Sequence, residues 1–248
     1  MKTVAVACVA ALWAMQAQQT VDLRGRTQTL HLYGPPSGEP IVVSSGDGGW
    51  IHLGPHIASV LASRGFFVVG FDVKAYLSGF TSGKTTLDPA LEPNDYAALA
   101  EFARRATGNK PILIGVSEGA GLSLLAATDA RVKTLVAGVI GVGLPDVNEL
   151  GWRWKDSLIY FTHKVPNEPT FSTATIAANV APLPLAAIHS TGDEFVPLDD
   201  VRRIIAKAGE PKRLWVVTAA DHGFSNNRGE FDAKLLEAIE WVKQRAPK

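Results

Sequence analysis

The sequence is nearly without cysteine: Cys8 stands alone in 248 residues. One thiol can build neither a disulfide framework nor a Cys-rich zinc site. Neither sign of charge is in excess, with 24 Lys and Arg against 24 Asp and Glu, and there is no basic run. A nucleic-acid partner is therefore not expected. Charged residues make up 19% and apolar residues 46%, which excludes a disordered, collagen-like or coiled-coil chain. No internal repeat, low-complexity tract or composition break marks a second domain. What remains is a chain long enough for one large globular domain.

Beyond residue 17 no apolar run is long enough to cross a bilayer. Residues 1–17 read as a secretory signal. Lys2 is the positive start, Thr3 to Met15 is almost unbroken apolar sequence, and Ala14 and Ala17 are small residues near a cut. Met15 occupies a position where a small residue is usual. The stretch is too short for an anchor against the roughly 20 residues a spanning helix needs. Ala5-Val6-Ala7-Cys8 makes only a weak lipobox. Cleavage removes the single cysteine, which suits an oxidising exterior. A periplasmic or secreted location is expected, with residues 18–248 as one domain.

Along that domain, β-rich runs alternate with helical patterns. Leu23–Leu32 reads as an early strand pair. Buried strands are expected at Ile41–Ser45, Phe66–Phe71, Pro111–Val116, Val132–Val142, Leu185–His189 and Leu214–Thr218. Helices are expected at Ile57–Ser63, Asn94–Arg105, Gly119–Ala127, Val201–Lys207 and Phe231–Val242. Continuous apolar strands separated by helices imply an α/β fold, a mostly parallel twisted sheet flanked by helices. Residues 145–184, rich in Trp, Pro and Asn, read as a small cap insertion. Ligands of such sheets bind at the carboxyl ends of the strands.

At those ends lies a consistent set of residues. The 111–116 strand runs into Gly115-Val116-Ser117-Glu118-Gly119, a G-x-S-x-G turn followed by a small-residue helix, the context that exposes a nucleophilic serine. A serine hydroxyl needs a base oriented by an acid. Asp193 follows the fifth buried strand and His222 the sixth, in the order Ser, Asp, His found in α/β-hydrolases. Asp221 is a poor alternative acid, because adjacent side chains point apart. Glu194 is the nearest substitute, and Asp193 could instead cap the helix near Leu198. Asp72 reads as a turn residue holding local backbone. The oxyanion needs two N–H donors: Glu118, after the nucleophile, and Asp47 or Gly48 in the Gly-rich loop Ser45–Trp50. Trp50 either walls the acyl pocket or packs on a helix. Trp152, Trp154, Tyr160 and Phe161 either line an apolar pocket or form the core of the cap.

Two motifs lead elsewhere and fail on spacing. Gly83-Lys84-Thr85-Thr86 resembles the end of a P-loop, but Gly79 is one residue too close and no strand precedes it directly. His52 and His56 have helical spacing for a metal, but Gly54-Pro55 lies between them and no Glu follows His52. No metal and no cofactor are expected.

The segments Ser44-Ser45-Gly46-Asp47-Gly48-Gly49-Trp50, Val69-Gly70-Phe71-Asp72 and Gly115–Gly119 together resemble the VirJ-type bacterial virulence family, within the α/β-hydrolase superfamily. The resemblance implies export to the periplasm and supports Ser117, Asp193 and His222 as a triad. Related AcvB-type proteins are linked to hydrolysis of lysyl-phosphatidylglycerol, which implies a small-molecule or lipid ester as substrate, at a membrane surface in the lipid case. This chain departs from the family in having Glu118 where an aromatic residue is common, and in Lys74, Tyr76 and Phe80. Glu118 could attract a cationic group, or turn away and bond to a sheet edge. The expected activity is cofactor-free serine ester hydrolysis. Amide cleavage on the same triad and a non-catalytic envelope or secretion role are the alternatives.

Overall fold

The computed structural model describes residues 17–154 and 168–247. The expected leader lies outside the described residues except for Ala17, and so do Tyr160 and Phe161. The described residues open with a hairpin, β1 (Ala17–Leu23) and β2 (Arg26–Tyr33), turned at Arg24-Gly25, where both residues have positive φ. There follow β3 (Pro40–Ser44), α1 (Leu53–Ala62), β4 (Phe67–Phe71), α2 (Val73–Phe80), α3 (Glu92–Arg104), β5 (Ile112–Val116), α4 (Glu118–Ala126), α5 (Ala130–Leu135) and β6 (Gly138–Val142). A short antiparallel ribbon comes next, β7 (Val147–Glu149) paired with β8 (Thr170–Ser172), then α6 (Thr173–Ile176). The chain ends with β9 (Leu185–Ser190), α7 (Leu198–Lys207), β10 (Lys212–Val217) and α8 (Arg228–Lys243).

Among the described residues eight strands form one sheet in the order β1-β2-β4-β3-β5-β6-β9-β10, antiparallel between β1 and β2 and between β2 and β4, and parallel from β4 onward. The continuous apolar strands owe their composition to burial on both faces. Alternate side chains go to opposite sides. Ile41, Val43, Ile112, Ile114, Ile140 and Ile188 pack under α1 and α8, while Val42, Leu113, Val139 and Ala187 pack under α3, α4, α5 and α7. Each fully buried large side chain contributes roughly 1.5–3 kcal/mol of transfer free energy. The ribbon and its flanks occupy the stretch expected to form a cap.

Two expectations need correction. Residues 132–142 are not one strand. Asp129 accepts the amides of Arg131 at 2.8 Å and Val132 at 3.2 Å, starting α5, and the strand begins only at Gly138. Val132, Leu135 and Val136 are buried like the strand that follows, which hid the break, although Lys133 and Thr134 on the outer face of α5 interrupt the apolar run. Helix α2 was not expected. Asp72 caps it, accepting from Ala75 N at 3.0 Å, so the turn role expected for Asp72 takes this form.

Candidate active site

Ser117 sits between β5 and α4 with φ 51° and ψ −120°, a conformation that costs a non-glycine residue of order 1–3 kcal/mol. The surroundings enforce it. Its N–H donates to Val142 O at 2.8 Å, tying the turn to the end of β6. The backbone of the loop after β3 crosses directly over α4: a Cβ at Gly119 would lie 2.2 Å from Ser45 O. That approach brings Gly46 against Ser117, with 3.4 Å from an ideal Gly46 Cβ to Ser117 Cβ. The N–H of Glu118 opens α4, where the first amides have no partner inside the helix. Across from it the amides of Ser45, Gly49 and Trp50 bond to Phe71 O, Gly46 O and the Asp72 carboxylate. Asp47 and Gly48, the expected second donors, line the cleft with Ser117.

His222 follows β10 and lines the same cleft. Its Nδ1 lies 2.6 Å from Asp193 Oδ2. Asp193 comes from the turn after β9, with its side chain 1% exposed. Its other oxygen accepts the amides of Phe195 at 3.0 Å and Val196 at 2.8 Å, so the acid is fixed before it meets the histidine. Burial raises the Asp193 pKa, but the hydrogen bond and charge of His222 and the two amides outweigh it and hold the carboxyl below its ordinary range. Burial lowers the His222 pKa, but Asp193, Glu194 and Asp47 outweigh it and lift the imidazole above its ordinary value. With Asp193 ionised, Nδ1–H donates and Nε2 is left as the base.

Sequence reading missed three supports of this pair. Glu194 Oε2 accepts the backbone N–H of His222 at 2.8 Å, so it holds the histidine rather than replacing Asp193. Gly143 leaves room for the ring: a Cβ there would fall 2.5 Å from His222 Cε1. Buried His189, its pKa lowered by burial, places Nε2 3.0 Å from Val196 O and braces the Asp193 turn. None of these has a spacing signature. Asp221 accepts from Ser225 N at 2.9 Å, in agreement with its rejection as the acid.

The cleft has a volume of about 990 Å³. Trp152 lines it, with the Lys74 ammonium 4.4 Å from the ring centroid. The other two tryptophans expected at the substrate lie elsewhere. Trp50 stacks on His31 at 5.0 Å and donates from Nε1 to Tyr33 OH at 3.2 Å, outside the cleft wall, because Gly70 leaves space for its ring on the sheet. Trp154 is 70% exposed and also outside the wall. His56 bonds to Asp232 at 2.7 Å, and among the described residues no three His, Cys, Asp or Glu side chains are placed to hold a metal ion. Nor is any helix among them long and apolar enough to cross a membrane.

Comparison with known proteins places the fold. Residues 40–144 match the family described as bacterial virulence protein VirJ. The uncharacterized protein YfhR of Escherichia coli O157:H7 is 24% identical over 200 residues, 77% of this chain and just under two thirds of that protein. An esterase from Pyrococcus furiosus superposes with a TM-score of 0.69 at 16% identity, covering 92% of this chain and 91% of the other. The α/β-hydrolase GrgF from Penicillium sp. sh18 gives 0.67 at 15% identity, covering 95% and 99%. At these identities the structures show the fold, which is that of the α/β-hydrolases.

Proposed function

We propose that this chain, an α/β-hydrolase by fold with the VirJ match over residues 40–144, is an exported serine hydrolase that cleaves carboxylic esters. The observation that carries the reading is the His222–Asp193 contact of 2.6 Å in the cleft that also holds Ser117 on its strained turn. Ser117 Oγ attacks the ester carbonyl as His222 Nε2 takes its proton, and Asp193 stabilises the imidazolium. The oxyanion is held by the N–H of Glu118 and one from Asp47 or Gly48. His222 returns the proton to the leaving alcohol, and water, deprotonated by the same nitrogen, releases the acid and regenerates Ser117. The leader-like sequence supports a periplasmic or secreted location. The size of the cleft and Trp152 favour a small-molecule or lipid ester, and the esterase among the structural neighbours supports ester over other bonds.

The test is hydrolysis of p-nitrophenyl acetate, butyrate and octanoate. Ser117→Ala is expected to lower kcat about 10⁴–10⁶-fold. Equal rates in both proteins would remove Ser117 from the reaction.

A further inference from the structure

The side chain of Glu118 has no place in the reaction above, which uses only its backbone, yet it is built into the site. It is 8% exposed at the first turn of α4. Its Oε1 accepts the backbone N–H of Glu149, in ribbon strand β7, at 2.5 Å. One residue earlier, buried Asn148 presses on the same helix: a Cβ at Gly121 would fall 1.7 Å from Asn148 Oδ1. The ribbon therefore lies directly on the helix that begins with the nucleophile. The side-chain link between them is a carboxyl group, and the charged groups that act on it are Glu149 of β7 and Asp47 of the loop after β3. Lys74, Arg203, Arg228, Glu194, Asp146 and His222 line the wider cleft.

We infer that Glu118 is a positioning residue whose buried side chain, bonded to the Glu149 amide, fastens ribbon β7 to the oxyanion-donor turn. Ionisation of that side chain weakens the fastening. A carboxylate there would still accept the Glu149 amide. It would also be a largely buried charge in the field of two further acidic residues, and movement farther into the cleft, which Glu118 lines, relieves that. Burial first, then Glu149 and Asp47, raise the Glu118 pKa well above its ordinary value, and the backbone hydrogen bond offsets only part of this. The sign follows. A carboxyl whose folded pKa is raised lends its full stability below the unfolded value near 4.5 and loses it as pH climbs to the folded one. The mechanistic part of the inference rests on Ser117 as nucleophile, while the titration itself does not.

Two measurements test it. Thermal unfolding of Ser117→Ala and of Ser117→Ala/Glu118→Gln, from pH 5 to 9, reads the titration without catalysis. The single variant should lose more than about 3 °C relative to the double variant across that range. Parallel curves overturn the inference whether or not the protein hydrolyses esters. Turnover of p-nitrophenyl butyrate from pH 7 to 10 then reads positioning. Wild type should show a falling alkaline limb that Glu118→Gln lacks. Glu118→Ala should lower kcat at pH 7.5 by about tenfold or more with KM changed less than about threefold, and Gln should recover most of that loss. An unchanged limb in Glu118→Gln, or a Gln variant as slow as Ala, overturns it.

Discussion

A histidine lifted above its ordinary value of 6.5 stays cationic in mildly acidic solution and cannot accept the Ser117 proton there. The account predicts that kcat/KM rises with pH along a one-proton limb whose midpoint lies above 6.5. Asp193→Asn should move that limb to lower pH and reduce kcat about 10⁴-fold, since the ring then loses both its charge partner and its tautomer control. A pH–rate profile of the two proteins checks both effects. That Ser117, Asp193 and His222 come to one end of the sheet was legible in the sequence, because each follows a separate strand, a relation that chain order alone displays. For Trp50 the helix-packing alternative holds, since a Cβ at Gly54 of α1 would lie 3.3 Å from its ring, but its stacking on His31, its bond to Tyr33 and the clearance at Gly70 exist only once β2 and β4 pair. The hold of Glu194 on His222 was hidden for the same reason, and that of His189 because its contact with Val196 forms only when the turn after β9 folds back.

Among the elements, the turn after β6 matters as much as the strand it ends. Gly143 has φ +59°, donates to Ile188 O at 3.0 Å and leaves the space that His222 fills. Gly143→Ala is expected to displace the imidazole and lower kcat about 10–100-fold, with the far-ultraviolet circular dichroism unchanged. Wild-type turnover in this variant would show that the ring has room to spare. Most strands and helices could be read because two-sided burial writes continuous apolar runs and helices write amphipathic ones. The reading failed where those signals converge. Residues 135–142 are apolar without a break and Val132 extends the pattern past Lys133 and Thr134, yet Asp129 turns the first part into α5. Helix α2 is short and follows β4 with only Asp72 between them, so its cap looked like a turn.

At the scale of the whole molecule, the sheet brings three distant segments to one edge, and its outer hairpin must be held for the sheet to be complete. Arg24, at the hairpin turn, donates to Asp95 of α3 at 2.5 Å from Nη2 and at 3.0 Å from Nε, and Tyr76 OH donates to the same carboxylate at 2.6 Å. Asp95 is 2% exposed and Arg24 is 25% exposed. Arg24→Ala leaves a buried carboxylate without its cation. A loss of about 2–3 kcal/mol is expected in urea unfolding, below the roughly 3–5 kcal/mol of a fully buried pair, because water reaches the arginine. Ester turnover should persist at temperatures where the variant stays folded. The central claim, that this fold presents an activated Ser117, is tested most directly by mass spectrometry after treatment with a fluorophosphonate. The account predicts one adduct per chain, on Ser117, absent in Ser117→Ala and much slower to form in His222→Ala. An adduct on another residue, or no adduct with folded wild-type protein, would contradict it.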